Sequence, residues 1–281
     1  MTIRTRDVGE LDLHVLEAGQ GPPVLMLHGW PQHAWCWRKV IPLLADHHRL
    51  ICPDLRGFGW SDAPGTGYDP ETFAADSLAL LDALDLKRAH VIAHDWGGFA
   101  AFLMALHRPE RVDRMVILNT AAPWVDPSPA LVPALARTWY VVALAVAGET
   151  LARSHPERMA ESFRRDLVNP EAITADDALA YARRLAEPQC AHATKLLYRS
   201  YLRSVLEAML RPRYQHMRLT RPTRFLFGTN DAAISPVMLR GMEDHADDLE
   251  LELVDGAGHF IAEEQPELVA RRARALFGAA N

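Results

Sequence analysis

The chain has 281 residues, of which 49% are hydrophobic and 23% charged, with a formal net charge of −6. That balance excludes disordered, collagenous and repeat-array proteins, and it makes a poor binder of nucleic acid or of an anionic membrane. Three cysteines, Cys36, Cys52 and Cys190, stand in no metal-like spacing, which argues against a disulfide framework and structural zinc and points to a reducing compartment.

In chain order, the N-terminal residues carry no apolar stretch of the kind a signal sequence needs, so a cytoplasmic protein is expected. Ile3 to Glu17 alternates around Gly9 and predicts an antiparallel hairpin. Runs rich in Val, Ile and Leu follow at Pro23 to His28, Leu50 to Leu55, Ala89 to Asp95 and Arg114 to Asn119. Segments with helical spacing, such as Thr72 to Leu84 and Trp96 to His107, separate them. This rhythm predicts an α/β fold with a mostly parallel sheet and crossover helices on both faces.

From about Pro123 to about Leu219 the pattern turns wholly helical, punctuated by Pro127, Pro129, Pro133, Pro156, Pro170 and Pro188. Its longest apolar run, Trp139 to Gly148, is well short of the roughly 20 residues of a membrane span. Strands return at Thr223 to Gly228 and Leu249 to Val254, and a last helix runs from about Pro266 to Phe277. A helical block between strand–helix repeats reads as an insertion, so residues 124–217 are expected to interrupt a core made of 1–123 and 218–281.

Chemistry enters at Val91-Ile92-Ala93-His94-Asp95-Trp96-Gly97-Gly98. A buried strand runs through small-x-Asp-x-Gly straight into a helix, the layout of a nucleophile elbow, where small neighbours permit the sharp turn that presents one side chain. An Asp at a helix start also serves as an N-cap, so Asp95 alone is ambiguous. His28-Gly29-Trp30-Pro31 follows the first parallel-type strand, where such folds supply one backbone N–H of an oxyanion hole. The two donors would be Trp30 and Trp96, although His-Gly-Trp-Pro also reads as a simple turn. Asp231 and His259 each follow a predicted strand, in the chain order nucleophile, acid, histidine. Each alone is an ordinary turn or surface residue; together with Asp95 they fit one mechanism.

These motifs, with Asp54-Leu55-Arg56-Gly57-Phe58-Gly59, resemble the α/β-hydrolase superfamily over essentially the whole chain. Within it the resemblance is to the aspartate-nucleophile branch, the epoxide hydrolases and haloalkane dehalogenases, whose helical cap is inserted where this chain has its helical block. A carboxylate that attacked an ester or amide would form an anhydride, whereas attack on a saturated carbon gives an alkyl ester that water can cleave. An epoxide or a halide meets that need, and the mechanism calls for no cofactor and no metal.

An epoxide oxygen needs a proton donor, and the resemblance implies two cap tyrosines, Tyr140 and Tyr198, with Tyr181 or Tyr201 as other candidates for the partner of Tyr198. A halide needs only N–H donors, for which Trp96, Trp30 and Trp139 are available. The Arg that follows the nucleophile in fluoroacetate dehalogenases is absent. His28, Gly29, Pro31, His94 and Trp139 are expected around the substrate pocket. The reading is an epoxide hydrolase acting on a small uncharged substrate with water. A haloalkane dehalogenase and a catalytically silent ligand-binding protein are the alternatives, and oligomeric state is not read.

Overall fold

The computed structural model describes residues 1–124, 139–210 and 213–278. Its strands are β1 (Thr2–Asp7), β2 (Asp12–Ala18), β3 (Pro23–Leu27), β4 (Arg49–Pro53), β5 (Ala89–His94), β6 (Val112–Leu118), β7 (Thr223–Gly228) and β8 (Leu249–Val254). They form one sheet in the order β1-β2-β4-β3-β5-β6-β7-β8. Only β1–β2 and β2–β4 pair antiparallel; the remaining pairs are parallel. The hairpin pairs Thr2 with Glu17 and Asp7 with Asp12, as its alternation predicts.

Helices in chain order are α1 (Ile41–Leu44), α2 (Pro70–Ala83), α3 (Asp95–His107), α4 (Trp139–Ser154), α5 (Pro156–Arg165), α6 (Ala175–Leu185), α7 (Pro188–Leu210), α8 (Ile261–Glu264) and α9 (Pro266–Phe277). The central strands β3, β5 and β6 are covered on both faces, which is why each carries a continuous apolar stretch instead of an alternating pattern. Val24 to Leu27, Val91 to Ala93 and Met115 to Leu118 are all fully buried. Each such aliphatic side chain contributes about 1.5–3 kcal/mol on leaving water.

The helices α4 to α7 lie between β6 and β7 in the chain. Pro156 and Pro188 open α5 and α7, the helix position that tolerates a missing N–H, and Pro170 lies between α5 and α6. The expected breaks at Pro127, Pro129 and Pro133 fall outside the described residues. Helices α4 and α7 run antiparallel: the Arg199 Nε donates to the Ala145 carbonyl at 2.9 Å, and Glu149 meets His192 at 3.1 Å and Lys195 at 3.3 Å. The block is tied to the sheet side by Arg38, which meets Asp177 of α6 at 2.9 Å and Glu263 of α8 at 2.6 Å. No helix among the described residues is long and apolar enough to cross a membrane.

Candidate active site

Asp95 stands where β5 turns into α3, at φ 49°, in the left-handed region that costs a residue with a side chain about 1–3 kcal/mol. The strand expected to run through Asp95 therefore ends one residue earlier. Close packing holds the turn: a Cβ on Gly97 would lie 2.5 Å from the His28 carbonyl oxygen, and one on Gly98 2.8 Å from Thr120. The Thr120 hydroxyl donates to the Asp95 carbonyl at 2.7 Å.

The His28-Gly29-Trp30-Pro31 loop lies directly against the Asp95 carboxylate. The Trp30 N–H donates to Asp95 Oδ2 at 3.0 Å, and the Trp96 N–H lies near enough to the carboxylate to favour its charged form. A Cβ at Gly29 would come within 2.4 Å of the Asp95 Cβ, so the approach requires glycine. His28 is fully buried behind the loop rather than facing a ligand. Its Nε2 accepts the Leu55 N–H at 2.8 Å, which leaves Nδ1 to donate to the Gly29 carbonyl at 3.0 Å. The Trp30–Pro31 peptide is cis, and Pro31 lines a small cleft with Gln32, His33 and Tyr181.

Asp231 and His259 follow β7 and β8. His259 Nδ1 lies 2.9 Å from Asp231 Oδ2, leaving Nε2 as the outward ring nitrogen. Asp231 is anchored by N–H groups of Ala233 and Ile234 at 2.7 and 2.8 Å, and by the Asn119 side-chain amide at 2.7 Å. His94, beside the nucleophile candidate, sits in the second layer: its Nε2 donates to the His259 carbonyl at 2.8 Å. Burial, reinforced by the charge of His259, lowers His94 to about 3, so the ring is neutral.

Burial pushes Asp95 up to about 6, although the charge of His259 and the two N–H groups oppose it. Burial pulls His259 the other way, but Asp231, by charge and hydrogen bond, and Asp95, by charge, outweigh it and raise the ring to about 9. Asp231, despite burial, is held below the usual carboxylate range by His259, Asn119 and the Ile234 N–H.

Aromatic rings from the helical block close over Asp95. Tyr198 of α7 meets Trp30 edge-on at 5.2 Å, Trp96 at 6.2 Å and Tyr140 of α4 at 6.3 Å, while Tyr201 meets Trp96 at 5.6 Å. The Trp96 indole N–H lies within hydrogen-bonding reach of the Tyr198 hydroxyl. Burial, with the nearby Asp95 charge, pushes Tyr140, Tyr198 and Tyr201 up and keeps them protonated.

Two expected residues are elsewhere. Trp139 is 72% exposed, because it falls on the face of α4 shared with exposed Val142 and Val146, opposite the face of Val141, Leu144 and Ala145 that packs inward. Tyr181 is buried but donates to Glu263 at 2.9 Å, on the seam between α6 and α8. The Trp30 indole is also committed, donating to the Thr194 hydroxyl at 3.2 Å.

Asn119 is the residue the motif reading missed. Its amide donates to Asp231 while its carbonyl oxygen accepts the Gly228 N–H at 3.1 Å, binding the ends of β6 and β7 together. The available signal was a polar side chain directly after the apolar stretch Met115 to Leu118, at the ligand-facing edge of the sheet.

Residues 22–266 match the family model described as the alpha/beta hydrolase fold. A soluble epoxide hydrolase of Corynebacterium sp. is 30% identical over 280 residues, covering 94% of this chain and 93% of its own. The ligand-free structure of the epoxide hydrolase CorEH superposes with a TM-score of 0.85 at 28% identity, over 98% of both chains. A fluoroacetate dehalogenase of Burkholderia sp. is 35% identical over 127 residues, 43% of this chain and 42% of its own. The chain belongs to the alpha/beta hydrolase fold family, and it is a hydrolase of that fold.

Proposed function

We propose that the protein is an epoxide hydrolase that opens an epoxide to a vicinal diol through an alkyl ester on Asp95, with residues 124–217 as its cap and 1–123 plus 218–281 as its core. The observation that carries this reading is the pair of protonated phenols, Tyr140 and Tyr198, ring against ring within the electrostatic reach of the Asp95 carboxylate. An opening epoxide becomes an alkoxide, a stronger base than phenolate, so a tyrosine O–H can donate to it and then give up its proton.

Since Oδ2 is occupied by the Trp30 N–H, Oδ1 is the oxygen that attacks the ring carbon. The C–O bond of the epoxide breaks, and the alkoxide takes its proton from a tyrosine. In the second half, His259 Nε2 removes a proton from water, and the hydroxide adds to Asp95 Cγ. The Trp30 and Trp96 N–H groups stabilise the resulting oxyanion, an interaction worth roughly a hundredfold to a thousandfold in rate per donor. Collapse expels the diol as an alkoxide that takes the proton back from His259, and the proton left on the Asp95 carboxyl returns to the tyrosinate, which restores both the carboxylate and the phenol. Asp231, kept ionised by its hydrogen bonds, orients and stabilises the imidazolium.

A His259→Gln variant incubated with styrene oxide is expected to hold an adduct on Asp95, detected by intact mass and located by peptide mapping. Turnover of styrene oxide by the wild type with no adduct in the variant would overturn the ester mechanism. Dehalogenation by the same ester is the second reading, favoured by the dehalogenase relative. It predicts faster halide release from 1-bromobutane than diol release from styrene oxide. The committed Trp30 indole and the exposed Trp139 weigh against it.

A further inference from the structure

The short helix α8 carries two consecutive buried carboxylates, Glu263 and Glu264. Glu263 uses Oε1 for side chains, with the half-buried Arg38 at 2.6 Å and the Tyr181 hydroxyl at 2.9 Å. Glu264 differs in kind: its hydrogen bonds among the described residues come from three backbone N–H groups, on two separate loops. Oε1 accepts from Gly258, the residue before His259, at 3.0 Å. Oε2 accepts from Val168 at 2.8 Å and Asn169 at 3.2 Å, in the loop between α5 and α6 of the helical block. The two loops also touch directly, since a Cβ on Gly258 would lie 2.7 Å from the Asp166 carbonyl oxygen.

We infer that Glu264 is a positioning residue for His259, bridging the histidine loop to the helical block so that the base is aimed at the ester only while the block is seated. The inference rests on the ester mechanism proposed above. Asp95 is held by a different set of contacts, the Trp30 and Trp96 N–H groups and Thr120, none of which involves Glu264. Glu264 therefore acts on the second half-reaction: the step in which His259 Nε2 takes a proton from water, hydroxide bonds to Asp95 Cγ, and the diol leaves with the returned proton. The first half-reaction, in which Oδ1 attacks carbon, does not use His259 as a base.

The test is a single-turnover experiment with styrene oxide on the full chain, following the ester by rapid quench and intact mass. Glu264→Gln has one acceptor oxygen in place of two and can hold one loop but not both. Ester formation is expected to stay within about twofold of wild type while ester hydrolysis slows by about tenfold or more, the effect of losing a hydrogen bond to a charged group. Glu264→Asp, a carboxylate too short to reach both loops, shows the same split, and the burst amplitude counts the folded molecules in either sample. Tyr181→Phe, which loosens the neighbouring seam without touching the histidine loop, hydrolyses its ester at the wild-type rate. Equal slowing of both steps, unchanged hydrolysis, or the same split in Tyr181→Phe would overturn the inference while ester still forms in His259→Gln. Absence of ester in His259→Gln overturns the ester reading and this inference with it.

Discussion

Asp95 and His259 hold each other's charge, and the pH dependence of the two half-reactions follows from that. In the proposed ester mechanism Asp95, raised to about 6 by burial, attacks only as the carboxylate. In a wild-type single turnover, ester formation should be level above that pH and fall about tenfold per unit below it, measured by rapid quench. His259 is raised to about 9 partly by the charge of Asp95. Esterification removes that charge, so the ring gives up its proton at lower pH in the ester than in the free enzyme. The rate of ester hydrolysis should therefore rise with a midpoint below 9, and a midpoint at or above 9 would show that the charge of Asp95 does not reach the ring. This coupling reconciles a histidine protonated at rest with its use as a base one step later.

Element packing decides which of these residues face one another. Trp139 and Tyr140 are neighbours on α4, and successive helical residues point about 100° apart, so the helix can turn only one of them toward Asp95. Both sides of α4 are apolar, which hides from the sequence the choice that packing against α7 makes. At the other end of the site, α3 can begin at Asp95 only because Gly97 lets its first turn approach the carbonyl groups of Leu27 and His28, at 2.6 and 2.5 Å from a Cβ placed there. Gly97→Ala is expected to push α3 away from β3, lowering stability by about 1–3 kcal/mol in urea unfolding. It should also cut the yield of Asp95 adduct in a His259→Gln background, since the Trp30 N–H and the carboxylate no longer meet. Unchanged stability and adduct yield would mean that the elbow tolerates a side chain at that position.

Across the whole molecule, the helical block between β6 and β7 gives the candidate site its second wall. The sheet supplies Asp95, Asp231, His259 and the N–H donors; the helical block supplies Tyr140, Tyr198 and Tyr201, and Glu264 is a point where the two meet. The net charge of −6 has little to steer if the substrate is uncharged. The kcat/KM for styrene oxide should then change by less than about twofold between about 0.01 and 0.5 M salt, over which screening of exposed charges becomes nearly complete. A steep salt dependence would point to a charged substrate instead.

Asp95, Asp231, His259 and the loop at Gly29 were legible in the chain because each sits at the end of a strand, where local geometry forces particular residue types. A sharp strand-to-helix turn needs small neighbours, and a loop touching a carboxylate needs glycine. The hairpin, the α/β rhythm and the final helix were legible for the same local reason, a period of two or of 3.6 residues. Asn119, Glu264 and the sorting of Tyr181 from Tyr198 were not, since their roles depend on partners 112, 6 to 96 and 82 residues away in sequence. Long-range pairing of polar groups leaves no periodic trace, and only the folded chain, by burying a donor beside a particular acceptor, assigns them.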